Sequence, residues 1–165
     1  MAFAHTPGWR PPSANSLKAV GNGGRYGAMA VRFSDASEPD ISGEWFSSST
    51  DFSGTDNSKV ATMVNHGLPL GDRPIFKAFA DRSFGLAELK RLDNGIFGTI
   101  QLDPADPLAS ALADLIEAGA LKFSSGSGVQ FVRRGADGHI LRWKVIELSV
   151  TATPMEFRLP KLRKI

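Results

Sequence analysis

Three places in the chain put a reactive residue type where an apolar strand ends or is interrupted. His66 closes the run at residues 60–65 and is followed by Gly67, which leaves its imidazole room to face a cleft. Ser124-Ser125-Gly126 follows Leu121-Lys122-Phe123. Glu147 interrupts residues 145–150, a stretch that otherwise looks like core strand. An ionised carboxylate there is costly unless it is paired or hydrogen-bonded. A histidine, a serine and a carboxylate together are what acyl transfer requires. The hydroxyl is a poor nucleophile until a base removes its proton, and the imidazole works best when a carboxylate fixes its tautomer. Read singly, each has a plainer account: a strand-end histidine, a Ser-Ser-Gly turn, and a glutamate facing solvent by strand alternation.

Other chemistries find less support. The chain has no cysteine, which excludes disulfide scaffolds, cysteine-ligated metals and a cysteine nucleophile. His5, His66 and His139 are far apart and none belongs to HExxH, so no metal site and no cofactor are expected. Gly21-Asn22-Gly23-Gly24-Arg25-Tyr26 lacks the third glycine of a dinucleotide fingerprint and has no strand before it, and no phosphate-cradling GxxxxGK[ST] occurs. Ser127 lies between Gly126 and Gly128, but a nucleophile elbow needs its glycines two residues to either side.

The elements that must carry these residues can be read from period and punctuation. Residues 1–24, rich in Gly, Pro, Ser and Asn without apolar period, are expected as an arm. Strands are expected at residues 26–33 and 60–65, with a polar loop at 47–59 between them. Residues 84–92 and 96–102 flank Asp93-Asn94-Gly95 as a hairpin, although Leu86-Ala87-Glu88-Leu89-Lys90 could equally be helical. One helix is clear. Leu108, Ala111, Leu112, Leu115 and Ile116 form a single stripe, with Asp106-Pro107 as N-cap and N1 and Gly119 at the C′ position. Short strands follow at 121–124, 129–134, 139–143 and 145–152, with a turn at 135–138. The sum is a mostly β, α+β chain of one domain with no internal repeat.

With 165 residues, 42% of them apolar, the chain can bury a core. Its apolar runs reach only about five residues, far short of a membrane span, and no secretory signal pattern opens the sequence. The net charge of +2 hides an asymmetry. Arg158, Lys161, Arg163 and Lys164 fall in residues 158–165, so the preceding 157 residues carry a net −2. The body is not basic, and residues 158–165 are expected as a solvated basic tail, with no nucleic acid required and no membrane.

The chain resembles the tailed-bacteriophage prohead protease family, the serine proteases that mature viral capsids. The matches are Met63-Val64-Asn65-His66-Gly67, the helix with Gly119 leading into Phe123-Ser124-Ser125-Gly126, and the stretch from Arg142-Trp143 through Glu147-Leu148-Ser149-Val150-Thr151-Ala152-Thr153-Pro154. That last stretch is similar to the family's ending, in which a glutamate, a serine, a threonine and a proline follow in order. Gly43-Glu44-Trp45-Phe46 and Thr50-Asp51-Phe52 also resemble one branch. The likeness spans residues 25–157, which the resemblance makes the protease domain.

The resemblance implies a small β-barrel of the herpesvirus maturation protease type with flanking helices. It implies His66 as general base, Glu147 as its orienter and Ser124 as nucleophile, because the family's serine stands two residues before a glycine. Ser125 is the second choice. Backbone N–H groups in the region of Ser125, Gly126 and Gly128 would stabilise the oxyanion, with Arg133 or Arg134 as further candidates to assist. The implied substrates are the scaffolding protein, the major capsid protein precursor and the protease itself, cut inside the assembling procapsid in the host cytoplasm. A homo-oligomer is compatible with this. Two other readings compete: a protease-like module without activity that serves capsid assembly, and a small nucleic-acid-binding barrel using the basic tail.

Overall fold

The computed structural model describes residues 24–78, 81–159 and 161–165. The arm expected at residues 1–24 lies outside the described residues apart from Gly24. Nine strands and two α-helices are defined among the described residues: β1 Arg25–Arg32, β2 Lys59–Val64, α1 Pro74–Ala78, β3 Gly85–Leu92, β4 Gly95–Gln101, α2 Pro107–Glu117, β5 Lys122–Gly126, β6 Val132–Arg134, β7 Ile140–Trp143, β8 Glu147–Thr151 and β9 Arg163–Lys164. The protein is mostly β, and its main sheet is curled into a half-barrel.

Seven strands form that sheet in the order β5-β8-β2-β3-β4-β1-β9, and β6 and β7 make a separate ribbon. Every neighbouring pair is antiparallel except β2 and β8, which run parallel with Ala61 opposite Glu147 and Val64 opposite Val150. The Asn94-Gly95 hairpin forms as expected between β3 and β4. Residues 86–90 are strand, not helix, because Ala87 and Leu89 alternate inward while Glu88 and Lys90 face solvent. The curl depends on a missing side chain. A Cβ on Gly98 of β4 would stand 2.6 Å from Leu148 of β8 and 3.2 Å from Phe123 of β5. The two halves of the sheet therefore close on each other at Gly98, with Leu148 and Phe123 in the shared core.

Helix α2 covers this core with Leu108, Ala111, Leu112 and Ile116, the expected stripe. Asp106 caps it by accepting the Leu108 N–H at 2.9 Å, Pro107 takes the first turn, and Gly119 at φ +68° terminates it. Its role for the site is to deliver the chain into Leu121 and β5.

Several expectations are corrected. Residues 158–165 are not a solvated tail. Leu159 and Leu162 are buried, β9 pairs with β1, and Arg158 is ion-paired to Glu156. The four cations that made this segment look like a tail alternate with leucines that reach the core, and apolar burial outweighs exposed charge. The strand expected at 129–134 starts as a 3-10 turn at Val129–Phe131, and only Val132–Arg134 is strand. The last core strand begins at Glu147 instead of residue 145. Helix α1, which no periodicity in the sequence signals, is one short turn that buries Phe76.

Candidate active site

Strand β8 carries two chemically distinct faces. Leu148 and Val150 point into the apolar core, whereas Glu147, Ser149 and Thr151 share the opposite face, and all five are buried. A polar face this deep needs partners for every group. They come from the turn that follows β2, the strand lying parallel beside β8. Thr151 Oγ1 donates to Asn65 Oδ1 at 2.8 Å, Ser149 Oγ accepts the His66 backbone N–H at 2.9 Å, and Glu147 Oε1 lies 2.5 Å from His66 Nδ1. The Ser149 hydroxyl donates its own proton to Glu147 Oε2 at 2.7 Å, so both carboxylate oxygens are engaged.

The turn itself is unusual. Asn65, His66 and Gly67 all have positive φ, at +46°, +58° and +80°. Two successive non-glycine residues in that region cost on the order of 1 kcal/mol each. The hydrogen bonds from β8 hold them there, and Asn65 Nδ2 adds another to the Pro69 carbonyl at 3.2 Å. The result is an imidazole thrown sideways off the end of β2, over the polar face of β8 and toward β5.

On β5, Phe123 faces the core opposite Val150, and Ser124 faces the polar side opposite Ser149. Ser124 Oγ lies 2.8 Å from His66 Nε2. His66 thus bridges Glu147 and Ser124 through its two ring nitrogens. An ionised carboxylate can only accept, so the proton on the imidazole belongs on Nδ1, leaving the Nε2 lone pair for the serine hydroxyl. Glu147 is about 1% exposed and Ser124 8%, and the His66 side chain is 12% exposed, so the carboxylate is sealed while the imidazole and the hydroxyl reach the surface.

The structure brings His66, Ser124 and Glu147 together. Ser125 falls on the opposite pleat, paired with Leu148, and the bond to the imidazole comes from Ser124. Gly126 lies opposite Glu147, where the visible consequence of its missing side chain is space for the carboxylate. Gly128 opens the 3-10 turn at Val129–Phe131 and its carbonyl accepts the Phe131 N–H. Arg134 is held in an ion pair by Glu44. His139 stacks on Trp45 at 4.0 Å and its Nε2 lies 3.0 Å from Ser47 Oγ, a packing role. His5 lies outside the described residues.

Sequence reasoning did not single out Ser149, Thr151 or Asn65 as parts of this arrangement. The signal was present: three polar residues at i, i+2 and i+4 of a strand with apolar residues between them. The sequence suggests a cleft at His66 but not its walls: His66, Ser124 and Ser125 border it on one side and Trp45, Phe46, Trp143 and Met155 on another. Glu156 at its edge is pushed upward by burial, but Arg158, with hydrogen bonds and charge, outweighs this and holds the carboxyl below its ordinary range; Arg158 is itself raised by Glu156.

Chemically, the arrangement offers a hydroxyl with an adjacent base, a base with a buried orienting carboxylate, and an open space at the hydroxyl. The chain matches no protein-family model, no curated protein and no solved structure.

Proposed function

We propose that the protein is a serine endopeptidase with Ser124 as nucleophile, His66 as general base and Glu147 as orienter. The observation that carries this reading is the double contact of one imidazole, at 2.8 Å to Ser124 Oγ and 2.5 Å to Glu147 Oε1. Ser124 Oγ attacks the scissile carbonyl carbon while its proton passes to His66 Nε2. The imidazolium, steadied by Glu147, returns that proton to the departing amine. Water then repeats the sequence on the Ser124 ester, releasing the acid and restoring the hydroxyl.

The resemblance to the prohead protease family supplies the biological setting: a fold of the herpesvirus maturation protease type, acting on scaffolding and capsid precursor proteins, and on itself, within the assembling procapsid in the host cytoplasm. The curled, mostly β sheet supports that fold, and the placement of Ser124 on β5 and His66 at the end of β2, on either side of the Glu147-bearing β8, supports the site.

A fluorophosphonate probe tests the chemistry without knowledge of the substrate. Labelling is expected at Ser124, to be retained in Ser125→Ala and abolished in Ser124→Ala. Co-expression with a capsid or scaffolding precursor should give cleavage that Ser124→Ala loses by several powers of ten. Undiminished labelling or cleavage in Ser124→Ala overturns the assignment.

A further inference from the structure

The cleft beside Ser124 has a composition that selects a substrate. It is open to solvent on one side and lined mostly by apolar surface on the other. Its floor is made by Ala30 and Val31 of β1, where the strand bulges: Met29 pairs with Phe97 and Val31 with Ile96, leaving Ala30 as an extra residue. Its aromatic wall is held in place. Phe46 meets Trp143 edge-on at 5.5 Å, and Trp45 is clamped by the stacked His139.

Three of the four acidic and guanidinium side chains at the cleft are ion-paired, and the fourth, Asp40, is hydrogen-bonded by neutral donors. Asp40 Oδ1 accepts from Ser42 and from the Glu44 N–H, Glu44 pairs with Arg134, Glu156 with Arg158, and Arg32 with Glu38. Arg32 Nη1 and Trp143 Nε1 lack partners, yet both are sealed from solvent and present no donor to the open space. A charged side chain entering the cleft would lose water, and of the four acidic and guanidinium side chains that line it only Asp40 is not already held in an ion pair. An apolar one would gain burial against rings, Val31 and Met155.

We infer that this cleft is the primary specificity pocket, and that it takes an apolar side chain from the residue that contributes the scissile carbonyl. This rests on the proposed function: in an acyl-enzyme that residue stays bonded to Ser124, so its side chain has the shortest path into a pocket Ser124 itself borders.

Peptide aldehydes separate the two claims. The aldehyde carbon bonds to Ser124 Oγ and the hydroxyl proton ends on the former carbonyl oxygen, so the terminal residue occupies the acyl side by construction. A series acetyl-Ala-Ala-X-aldehyde, with X as Leu, Phe, Gly, Lys or Asp, competes with the fluorophosphonate on the wild-type protein. Leu and Phe are expected to protect at concentrations about 10- to 100-fold lower than Lys or Asp. Met155→Asp should narrow that gap or reverse it in favour of Lys. If Ser124 labels but Lys or Asp protects as well as Leu, or no aldehyde protects, the pocket assignment falls and the hydrolase reading stands. If Ser124 does not label at all, both fall.

Discussion

The carboxylate of Glu147 fills the space that a side chain on Gly126 would need. The two residues are register partners on β8 and β5, and a Cβ at position 126 would sit 1.9 Å from Glu147 Oε1. That oxygen is the one facing His66 Nδ1 at 2.5 Å. Gly126 and the imidazole therefore grip the same atom from two sides, and the orientation of His66 depends on a residue two positions beyond the serine.

Gly126→Ala is accordingly expected to displace the carboxylate while leaving Ser124 and His66 unchanged in identity. An overpacked buried site costs about 1–3 kcal/mol of stability. A misplacement near 1 Å costs about 100-fold in rate. Urea unfolding and the rate of fluorophosphonate labelling read these separately; labelling at the wild-type rate would show that the carboxylate's position does not matter.

Glu147→Gln keeps the shape of the side chain but offers the imidazole either a donor or an acceptor. The tautomer with a proton on Nδ1 is no longer enforced, and an imidazolium formed during reaction loses its counter-charge. The expected loss in rate is about 10³- to 10⁴-fold, with substrate binding little changed. A kcat within tenfold of the wild type would remove Glu147 from the reaction.

The sequence carried the helix, the hairpin and the three reactive positions because each is signalled locally: an N-cap at Asp106, Asn94-Gly95, and a charge inside an apolar run at Glu147. What escaped it is non-local. The parallel pairing of β2 with β8, across more than eighty residues, is what turns Ser149 and Thr151 into partners of Asn65 and His66. The positive φ of Asn65 and His66 is likewise imposed from β8, since neither residue type demands it. In the last eight residues the four charges are conspicuous, whereas Leu159 and Leu162 acquire meaning only once β1 and Leu121 are beside them.

Leu162 supplies a test of that correction. Its side chain is buried and its N–H bonds to the Leu121 carbonyl at 3.1 Å, directly before β5. Leu162→Ala should lower unfolding stability by about 2–4 kcal/mol. Lys164→Ala, on the exposed β9, should stay within about 0.5 kcal/mol. Equal, small effects in urea titrations would restore the solvated tail.

Glu156 and Arg158 give a pH dependence whose sign is fixed. The folded carboxyl of Glu156 lies below its ordinary range, through the hydrogen bonds and charge of Arg158 set against burial, with Arg32 adding attraction. A depressed carboxyl contributes stability that is present above the unfolded pKa and fades as pH falls through the folded one. The pair is partly solvated, so its contribution is no more than about 1 kcal/mol. The stability difference between wild type and Glu156→Gln should therefore be full at neutral pH and shrink as the pH drops below about 4; a difference that grows in acid would contradict the pairing.

Ser149 differs from the three reactive residues in touching none of the atoms that would exchange protons with a substrate. It is fully buried, and its single hydroxyl accepts from the His66 N–H and donates to Glu147 Oε2. It thereby fixes the left-handed backbone that aims the imidazole and the second oxygen of the carboxylate that orients it. Ser149→Ala leaves one buried donor and one buried carboxylate oxygen without that partner, a cost of about 1–3 kcal/mol. A purely structural role would stop there. A positioning role predicts in addition that kcat and the labelling rate of Ser124 fall by about 10- to 100-fold while KM and the binding of cleft-directed aldehydes are nearly unchanged. Fluorophosphonate kinetics under conditions where the variant is fully folded separate the two, and an unchanged labelling rate there would reduce Ser149 to a stabilising residue.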